Sequence, residues 1–428
     1  MMRATKDSGF EWIGIIPTEW ALSKIGQVYR LRNTKVSDTD YPPLSITNKG
    51  IVPQLDTAAK TNAHDDRKLV KKGDFAINSR SDRRGSCGIS DFDGSVSLIN
   101  TILAPLNEMN PGYYDWLFHT VQFGDEFYKF GHGIVDDLWT TGWQEMKKIT
   151  IPTPPLPEQQ RIADFLDAKC AEIDALTADI QTQINTLEQY KRSVITETVT
   201  KGLNPATEMK DSGIDGAGVT PSHWKTTKLC YECYIRARLG WRGLKADEYV
   251  DEGYAFISAF NIQNGKLVWT PLNYITKERF DESPEIKLHS GDVLIVKDGA
   301  GVGKCARVDD LPMGGTAPNS SIAVITPSKN LDYRYVCYYL QSAVFNNFVL
   351  LLYNGMGVPH LTQEVMSKIK ILVPPLKEQM VISDYLDAKC TEIDAVVETK
   401  KSQLATLDEY KKSLIFEYVT GKKEVPLS

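Results

Sequence analysis

The sequence lacks both the long apolar runs of membrane proteins and the cysteine framework of small secreted ones. It contains no run of about 18 apolar residues and no charged-then-apolar segment at its N-terminus. Its seven cysteines are an odd number scattered over 428 residues, in a chain too long to need disulfides for a stable core. These absences predict a protein of the reduced cytoplasm that does not associate with a membrane.

Motifs that carry catalysis are missing as well. The Pro-Pro pairs read YPPL, TPPL and VPPL, without the Asn/Asp/Ser-Pro-Pro-aromatic motif of amino-methyltransferases, and no helicase signature is present. The Gly-rich stretch from Lys297 to Ala306 departs from a P-loop, because Asp298 replaces the first glycine and Cys305 replaces the magnesium-binding hydroxyl. Cys230 and Cys233 form a lone CxxC, and the six histidines show no ligand spacing. We therefore predict no catalytic site and no metal site.

What the sequence does contain is a duplication. The segment PPLPEQQRIADFLDAKCAEIDA, from Pro154 to Ala175, returns as PPLKEQMVISDYLDAKCTEIDA, from Pro374 to Ala395, with 16 of 22 positions identical. The repeat continues through TLEQYKRS and TLDEYKKS, and a weaker repeat, DSGFEWIGIIPTEW and DSGIDGAGVTPSHW, precedes each of the intervening segments. The order predicted is residues 1–153 as a first domain, 154–204 as a central helix, 205–373 as a second domain and 374–428 as a C-terminal helix.

Both repeated segments have the pattern of long amphipathic helices with a narrow apolar seam. An alternating spacing of 3 and 4 selects Leu166, Cys170, Ile173, Thr177, Ile180, Ile184, Leu187, Lys191 and Val194 in the first copy, and Leu386, Cys390, Ile393, Val397, Lys400, Leu404, Leu407, Lys411 and Leu414 in the second. Each helix has a net charge of −3. Because the formal charge of the whole chain is −6, the residues outside the helices are neutral overall. The two seams predict an antiparallel coiled coil with a domain at each end and a pseudo-two-fold axis between them.

The two intervening segments predict α+β domains of the same fold. Short β-branched runs such as Asp74 to Ile77, Val293 to Val296 and Ile322 to Ile325 alternate with Gly, Asn, Asp and Pro turns, and helical stretches follow at Tyr113 to Phe130 and Tyr333 to Leu352. GDFAIN and GDVLIV, then MKKITI and MSKIKI, are fainter matches between them. The domains therefore share a frame while their surfaces differ.

Polar loops at matching places of the two domains are the candidate binding residues. The GDFAIN strand leads into an Arg-rich loop, whereas the GDVLIV strand leads into the Gly-rich one. Arg, Lys, Asn and Ser are the types that bind phosphates and base edges, although a solvated charged turn is the ordinary interpretation of any one of them. The predicted DNA-binding residues are Ser45, Asn48, Lys49, Asn78, Ser79, Arg80, Arg83, Arg84, Arg236, Arg242, Ser258, Asn261, Lys297 and Lys304.

In its PPLxEQ opening, LDAKCxEIDA helix, TLxxYKxS continuation and GDVLI strand followed by a Gly-rich loop, the chain resembles the DNA-specificity subunits of type I restriction-modification systems over its full length. The resemblance implies two target recognition domains that read a bipartite, asymmetric double-stranded DNA site, with the helices setting the spacing. It further implies two methyltransferase subunits and motor-endonuclease subunits as partners. S-adenosylmethionine, ATP and magnesium belong to those partners, and this chain itself holds no cofactor.

Two other hypotheses remain open from the sequence. A coiled-coil scaffold that joins proteins without recognising DNA sequence would show the same helices. A stand-alone nuclease would use Asp281, Glu285 and Lys287, whose spacing loosely matches a nuclease metal cluster.

Overall fold

The computed structural model of this protein describes residues 3–54, 65–80, 83–133, 139–237, 244–299, 301–353 and 360–426. The chain packs as two compact units, one formed by Met1–Gln181 with Ser402–Ser428 and the other by Thr182–Lys401. Each long helix therefore contributes one part to each unit. The helical segments predicted at 154–204 and 374–428 are divided between the cores of the two units.

In the first unit, an antiparallel four-stranded sheet has the order β10-β9-β12-β4, beside the smaller sheets β11-β8-β5, β6-β7, β13-β3 and β1-β2. The helices are α1 Ile25–Val28, α2 Pro111–Phe118, α3 Val121–Lys129, α4 Trp143–Met146 and α5 Leu156–Lys201, which continues into the second unit. The strands are β1 Thr5–Asp7, β2 Ile15–Pro17, β3 Ala21–Lys24, β4 Tyr29–Leu31, β5 Lys35–Val36, β6 Leu44–Thr47, β7 Gly50–Pro53, β8 Arg67–Val70, β9 Phe75–Asn78, β10 Cys87–Ile89, β11 Gly94–Val96, β12 Asn100–Pro105 and β13 Thr150–Thr153.

The second unit repeats this arrangement, since its four-stranded sheet has the order β23-β22-β25-β17, beside β21-β18-β24, β19-β20, β16-β26 and β14-β15. Its helices are α6 Leu229–Glu232, α7 Lys277–Asp281, α8 Tyr333–Gln341, α9 Ala343–Tyr353, α10 Gln363–Ser367 and α11 Leu376–Val419, which continues into the first unit. The strands are β14 Met209–Asp211, β15 Val219–Pro221, β16 Lys225–Lys228, β17 Cys233–Arg236, β18 Tyr254–Ile257, β19 Ile262–Gln263, β20 Lys266–Leu267, β21 Asn273–Ile275, β22 Val293–Val296, β23 Cys305–Arg307, β24 Thr316–Pro318, β25 Ile322–Pro327 and β26 Lys370–Val373.

The central strands form where the β-branched runs predict them. All four residues of β22, Val293 to Val296, are buried, and Phe75 to Ile77 of β9 are buried likewise. A strand covered on both faces is apolar throughout because neither set of its alternating side chains meets water. The prediction of an α+β fold with irregular sheets is confirmed.

The helices α5 and α11 begin and end with the same local signals. Each follows a Pro-Pro pair and carries a glutamate, Glu158 or Glu378, in its first turn, where a carboxylate is stabilised by the helix dipole. After the last turn of α5, Gly202 adopts a φ of +73°, a left-handed conformation that ends a helix at little cost for glycine. Gly421, with a φ of +69°, follows α11 in the same way.

The predicted seam is the packed face of the helices in both units. In the first unit, the Phe165 ring contacts that of Tyr418 and Asp174 pairs with Lys411, so the two helices run antiparallel. In the second unit, Gln183 contacts Lys400 and Lys191 pairs with Asp394, which gives the same direction. All 18 predicted seam residues are buried or half-buried.

Cys170 and Cys390 occupy that seam as small apolar residues. Burial raises the pKa of the Cys170 thiol to about 11 and raises that of Cys390 as well, so both stay protonated at neutral pH. The sequence-based interpretation of these cysteines as core residues is confirmed.

The duplicated PEQ and KEQ residues attach each helix to its domain. Glu158 accepts hydrogen bonds from the Trp20 indole at 2.8 Å and from the Arg3 guanidinium at 2.6 and 2.8 Å. Gln159 contributes by accepting from the Asn110 backbone N–H and donating to the Pro154 carbonyl, both at 2.9 Å. Buried polar groups need hydrogen-bond partners, which explains why the same Glu-Gln pair occurs where each helix begins against its domain.

The second unit forms the equivalent contacts with one change. Glu378 accepts from the Trp224 indole at 3.0 Å, and its other oxygen lies 2.8 Å from Nε2 of His223. Gln379 accepts from the Asp332 backbone N–H and donates to the Pro374 carbonyl, both at 2.8 Å. The second partner of the glutamate is thus the arginine Arg3 in the first unit and the histidine His223 in the second.

Among the described residues, no single helix has both the length and the apolar composition of a membrane span. The pair Tyr333–Gln341 and Ala343–Leu352 reaches that composition only when its two helices are taken together across a bend of 57°.

Candidate nucleic-acid interface

The Arg-rich and Gly-rich loops occupy the same connection in the two units. Residues 79–86 join β9 to β10, and residues 297–304 join β22 to β23, in sheets of the same strand order. Ser81, Asp82 and Ala300 lie outside the described residues. The equivalence of the two loops predicted from the sequence is confirmed by this topology.

The Arg-rich loop is closed at its base by backbone hydrogen bonds. The Asn78 N–H donates to the Ser86 carbonyl at 2.9 Å, and the Arg80 N–H donates to Oδ1 of Asn78 at 3.1 Å. Ser79 is buried, with its hydroxyl 3.0 Å from that of Thr101, so it holds the loop to β12 and does not face solvent. Of the predicted residues, Arg83 and Arg84 are the most exposed here.

Two residues of helix α3 supply three contacts to this loop that the sequence did not reveal. The Tyr128 hydroxyl donates to the Arg80 carbonyl at 3.1 Å, and the Tyr128 ring lies 4.8 Å from the guanidinium carbon of Arg84. Nη1 of Arg84 donates to Oδ1 of Asp125 at 3.1 Å. Asp125 and Tyr128 are about 40 residues from the loop along the chain, and a three-residue spacing that puts both on one face of a helix is the only sequence signal they offer.

The Gly-rich loop presents one exposed cation. Lys304 is exposed, whereas Lys297 is half-buried with Nζ 2.7 Å from Oδ2 of Asp298. Burial lowers the pKa of the Lys297 ammonium. Gly299 and Gly303 have φ values of +86° and +88°, so the tight course of this loop depends on glycine at both positions.

Lys304 borders a groove of about 800 Å³ within the second unit. The β19–β20 hairpin contributes Gln263, Asn264 and Lys266 to its lining, and Arg192 and Lys401 come from the helices. The amide and ammonium groups along it can donate to phosphate oxygens and base edges, and the carboxylates of Glu188, Asp394 and Glu398 share the lining. Lys266 and Lys401 were not among the residues predicted from the sequence.

The hairpin β6–β7 carries the remaining predicted residues of the first unit. Ser45 lies in β6 and is half-buried, while Asn48 and Lys49 form the exposed turn. The Lys49 N–H donates to the Thr47 hydroxyl at 3.1 Å, which fixes the turn. The structure places Asn48 and Lys49 where a ligand can reach them.

Asn261 and Ser258 have a structural role in the second unit. Asn261 is buried, donates to the carbonyls of Val268 at 3.0 Å and Pro271 at 2.9 Å, and accepts from the Ser258 N–H at 3.0 Å. Its amide is therefore occupied by the turn that it closes. The interpretation of Asn261 as a DNA contact does not agree with this burial.

Arg236 is likewise engaged inside the protein. Its Nη2 lies 2.7 Å from Oδ2 of Asp292 and 3.1 Å from the Lys287 carbonyl, and Nη1 contacts the Thr326 hydroxyl. Arg32 pairs with Asp74 at the same place in the first unit, with Nε 2.5 Å from Oδ2. This geometry favours a structural role for Arg236, because a buried carboxylate such as Asp292 requires a charged partner. Arg242, predicted beside it, lies outside the described residues.

The acidic cluster of the nuclease hypothesis is bound by lysines. The Asp281 carboxylate accepts from Lys287 at 2.5 Å and also contacts Lys277. In the described part of the chain, no group of three or more His, Cys, Asp or Glu side chains is arranged to hold a metal ion.

Comparison with known proteins identifies relatives of this chain. The family model described as the type I restriction modification DNA specificity domain matches residues 17–186 and 240–406. The chain is 26% identical over 343 residues to the type I restriction enzyme MjaVIII specificity subunit of Methanocaldococcus jannaschii, covering 78% of this chain and 76% of that one. It is 24% identical over 210 residues to the EcoKI specificity subunit of Escherichia coli, covering 48% of this chain and 44% of that one.

Solved structures show the same fold at low sequence identity. A chain from the structure titled for complex assembly and conformational transition of the type I R-M system superimposes with a TM-score of 0.72, at 17% identity over 95% of this chain and 99% of that one. The HsdS subunit from Thermoanaerobacter tengcongensis gives a TM-score of 0.50, at 18% identity over 97% and 100%.

Proposed function

This chain belongs to the family of type I restriction-modification DNA specificity subunits, and we propose that it reads a bipartite, asymmetric DNA target and directs methylation and restriction by partner subunits to that target. Each compact unit recognises one half of the site. The chain carries out no catalysis of its own.

One observation carries this proposal: the two units share a fold but have different loops at the same connection of the four-stranded sheet. The strand order, the buried Arg–Asp pair and the Glu–Trp contact at the helix start are repeated in both units. The loop after the central strand is Arg-rich in one unit and Gly-rich with an exposed Lys304 in the other. A binding site on a rigid scaffold gains a new specificity by changing its loops, so different half-sites follow from this difference.

The helices supply the separation of the half-sites in this proposal. Helix α5 has 46 residues and is about 69 Å long at about 1.5 Å per residue. One turn of duplex DNA advances about 34 to 36 Å, so this length corresponds to roughly two turns. The net negative charge of the helices disfavours phosphate contact along most of their length, so we assign DNA binding to the two domains and to the few helix cations that border the groove beside Lys304.

We further propose that two copies of one methyltransferase subunit bind the chain. Exposed apolar side chains occur at matching places of the duplicated helices, since Leu176 corresponds to Val396 and Tyr190 to Tyr410. An exposed apolar residue that is present in both copies of the helix favours contact with the same partner twice. Motor-endonuclease subunits join that core. S-adenosylmethionine, ATP and magnesium act in the partners, and because the substrate is chromosomal DNA we propose a cytoplasmic location.

The test is sequence-selective binding by the assembled complex. The full chain is co-purified with its methyltransferase subunit, and genomic DNA from a host without other DNA methylation is sequenced for modified bases. One bipartite motif with two different halves is expected, present only when this chain is expressed. Native mass spectrometry is expected to give two methyltransferase subunits per chain.

The competing hypothesis, a protein scaffold without DNA recognition, makes the opposite prediction. The complex would then bind all duplexes equally, with a strong dependence on salt, and no motif would depend on this chain.

A further inference from the structure

We propose that Arg84 reads a guanine in the half-site of the first unit, and that Asp125 and Tyr128 are positioning residues that orient its guanidinium for this contact. The inference rests on the proposed function and adds to it the identity of one base and of the side chains that select it.

The guanidinium of Arg84 is exposed and yet held in place. Its side chain is 63% exposed, Nη1 lies 3.1 Å from Oδ1 of Asp125, and the guanidinium carbon lies 4.8 Å from the centre of the Tyr128 ring. Asp125 and Tyr128 come from one face of α3, one turn apart. A salt bridge and a cation–π contact from the same rigid helix restrict the plane of the guanidinium.

The backbone beneath Arg84 is fixed by the same part of the unit. The buried Tyr128 donates its hydroxyl to the Arg80 carbonyl at 3.1 Å, Arg80 bridges to Thr140, and the Thr141 N–H donates to the Ser79 carbonyl at 3.0 Å. The loop therefore presents Arg84 on a preformed support. A preformed support lowers the entropy lost when the contact with DNA forms.

The surroundings of Arg84 favour a base edge over a phosphate. A phosphate attracts any nearby cation and requires no fixed plane, but the adjacent Asp125 carboxylate cancels most of the long-range attraction of this guanidinium. What remains is its directional hydrogen bonding. The contact with Asp125 uses Nη1, so the edge formed by Nε and Nη2 is not engaged by that carboxylate. Two parallel donors on such an edge match O6 and N7 of guanine in the major groove.

The equivalent loop of the second unit offers no such arrangement among its described residues. Lys304 is exposed without a planar fork, and Lys297 is tied to Asp298. The guanine therefore belongs to the half-site of the first unit.

The experiment compares methylated motifs of complexes that contain the full chain and its methyltransferase subunit. Arg84→Gln removes the guanidinium, Asp125→Asn removes the carboxylate and keeps the size of the side chain, and Lys35→Gln is a matched control in an exposed ion pair of the same unit. With Arg84→Gln, discrimination for guanine at one position of one half-site is expected to fall roughly 5- to 150-fold. Asp125→Asn is expected to relax the same position to a smaller extent, and Lys35→Gln is expected to leave the motif unchanged.

Three results would overturn the inference. The motif stays unchanged in the Arg84 variant; or specificity is lost at a base other than guanine; or binding weakens equally for all sequences while the salt slope falls by about one, as for a phosphate contact. Thermal unfolding of each variant separates misfolding from loss of a contact, and the exposed Asp125→Asn change serves as the second variant if Arg84→Gln is unstable. Failure of the proposed function is distinct, because the unsubstituted chain would then specify no motif.

Discussion

The ammonium group of Lys191 lies 2.6 and 2.8 Å from the two carboxylate oxygens of Asp394, across the two helices of the second unit. The first unit contains the reciprocal pair, in which Lys411 from α11 lies 2.6 Å from Asp174 of α5. The residues of one pair are therefore the duplicates of the other pair with the helices exchanged. Each pair fixes the register of two antiparallel helices at one point of the seam.

We predict that charge reversal at one pair destabilises its unit and that reversal of both partners restores it. Lys191→Asp places a second carboxylate beside Asp394, whose side chain is 40% exposed, so the loss of the attraction alone is worth about 0.2–1 kcal/mol and the new repulsion adds to it. The double variant Lys191→Asp, Asp394→Lys re-forms the pair. Urea unfolding of the full chain measures both.

The matched control is Lys412→Asp, next to the first-unit pair but bonded within its own helix to Asp408 and Glu409. The single variants Lys191→Asp and Asp394→Lys each give a loss of unfolding free energy. If the loss in the double variant equals the sum of these two losses, Lys191 and Asp394 are not coupled.

Glu158→Gln is predicted to destabilise the chain more than Glu378→Gln. The Glu158 side chain is 9% exposed and accepts from both Arg3 and Trp20, whereas Glu378 is 31% exposed and its second partner is His223. Hydrogen bonds to charged groups contribute about 1.5–3 kcal/mol each, and their loss is greatest where water cannot replace them. Hydrogen exchange in the first turns of α5 and α11 locates the effect. Equal protection losses in the two variants would contradict the difference.

Asp387 is predicted to make the second unit acid-sensitive. Burial alone would raise the pKa of this carboxyl, but hydrogen bonds from Tyr338 and Arg307 outweigh it and lower the pKa. A carboxylate with a lowered folded pKa contributes stability above its unfolded pKa of about 3.9, and this contribution is lost as the pH falls from there toward the folded pKa. Asp387→Asn should therefore lower the melting temperature at pH 7 and have a smaller effect below about pH 4.

Melting temperatures of the full chain between pH 3 and pH 7 check this. Asp384→Asn is the control, because that side chain is 68% exposed three residues earlier on the same helix. If the difference in melting temperature between wild type and Asp387→Asn stays constant with pH, the charge of Asp387 is not the cause of the acid sensitivity.

The two loops are predicted to affect different halves of the target. Replacing Arg80, Arg83 and Arg84 together should alter only one half of the methylated motif, and replacing Lys304 should alter or weaken only the other, because the loops lie in separate compact units. Sequencing of modified bases reads both halves in one experiment. A change in the same half from both sets of substitutions would refute the assignment of one half-site to each unit.

The helices and the sheets could be predicted from the sequence because their signals are local. The 3 and 4 spacing from Leu166 to Val194 depends only on which side chains avoid water, and the buried run Val293 to Val296 needs no knowledge of its neighbours. The duplication added the equivalence of the two domains, since two copies of one segment must solve the same packing problem.

The candidate site was less predictable because its contacts join distant parts of the chain. Nothing near Arg84 in the sequence indicates Asp125 or Tyr128, and nothing near Asn261 indicates that Val268 and Pro271 occupy its amide. Residue type alone could not separate an exposed arginine from a paired one.

The sequence does contain a signal that distinguishes Arg236, as a structural residue, from the candidate DNA-binding residues. Arg32 and Arg236 match between the copies, and so do Asp74 and Asp292, although the surfaces around them diverge. A charged pair that survives in both copies belongs to the shared frame, because recognition residues are those that differ. By this criterion Arg236 belongs to the shared frame, and Arg84 stays among the proposed recognition residues.

The reciprocal lysine–aspartate pairs also mean that these two contacts of the seam do not distinguish one helix from the other. Two copies of α5 placed antiparallel in the same register would align Asp174 of each with Lys191 of the other, as Asp174 aligns with Lys411 in this chain. Covalent connection favours the native pairing over this alternative, because a partner helix in the same polypeptide is present at a far higher effective concentration than one on another molecule. In separated halves of this protein, the two ion pairs alone would not prevent a helix from pairing with a second copy of itself.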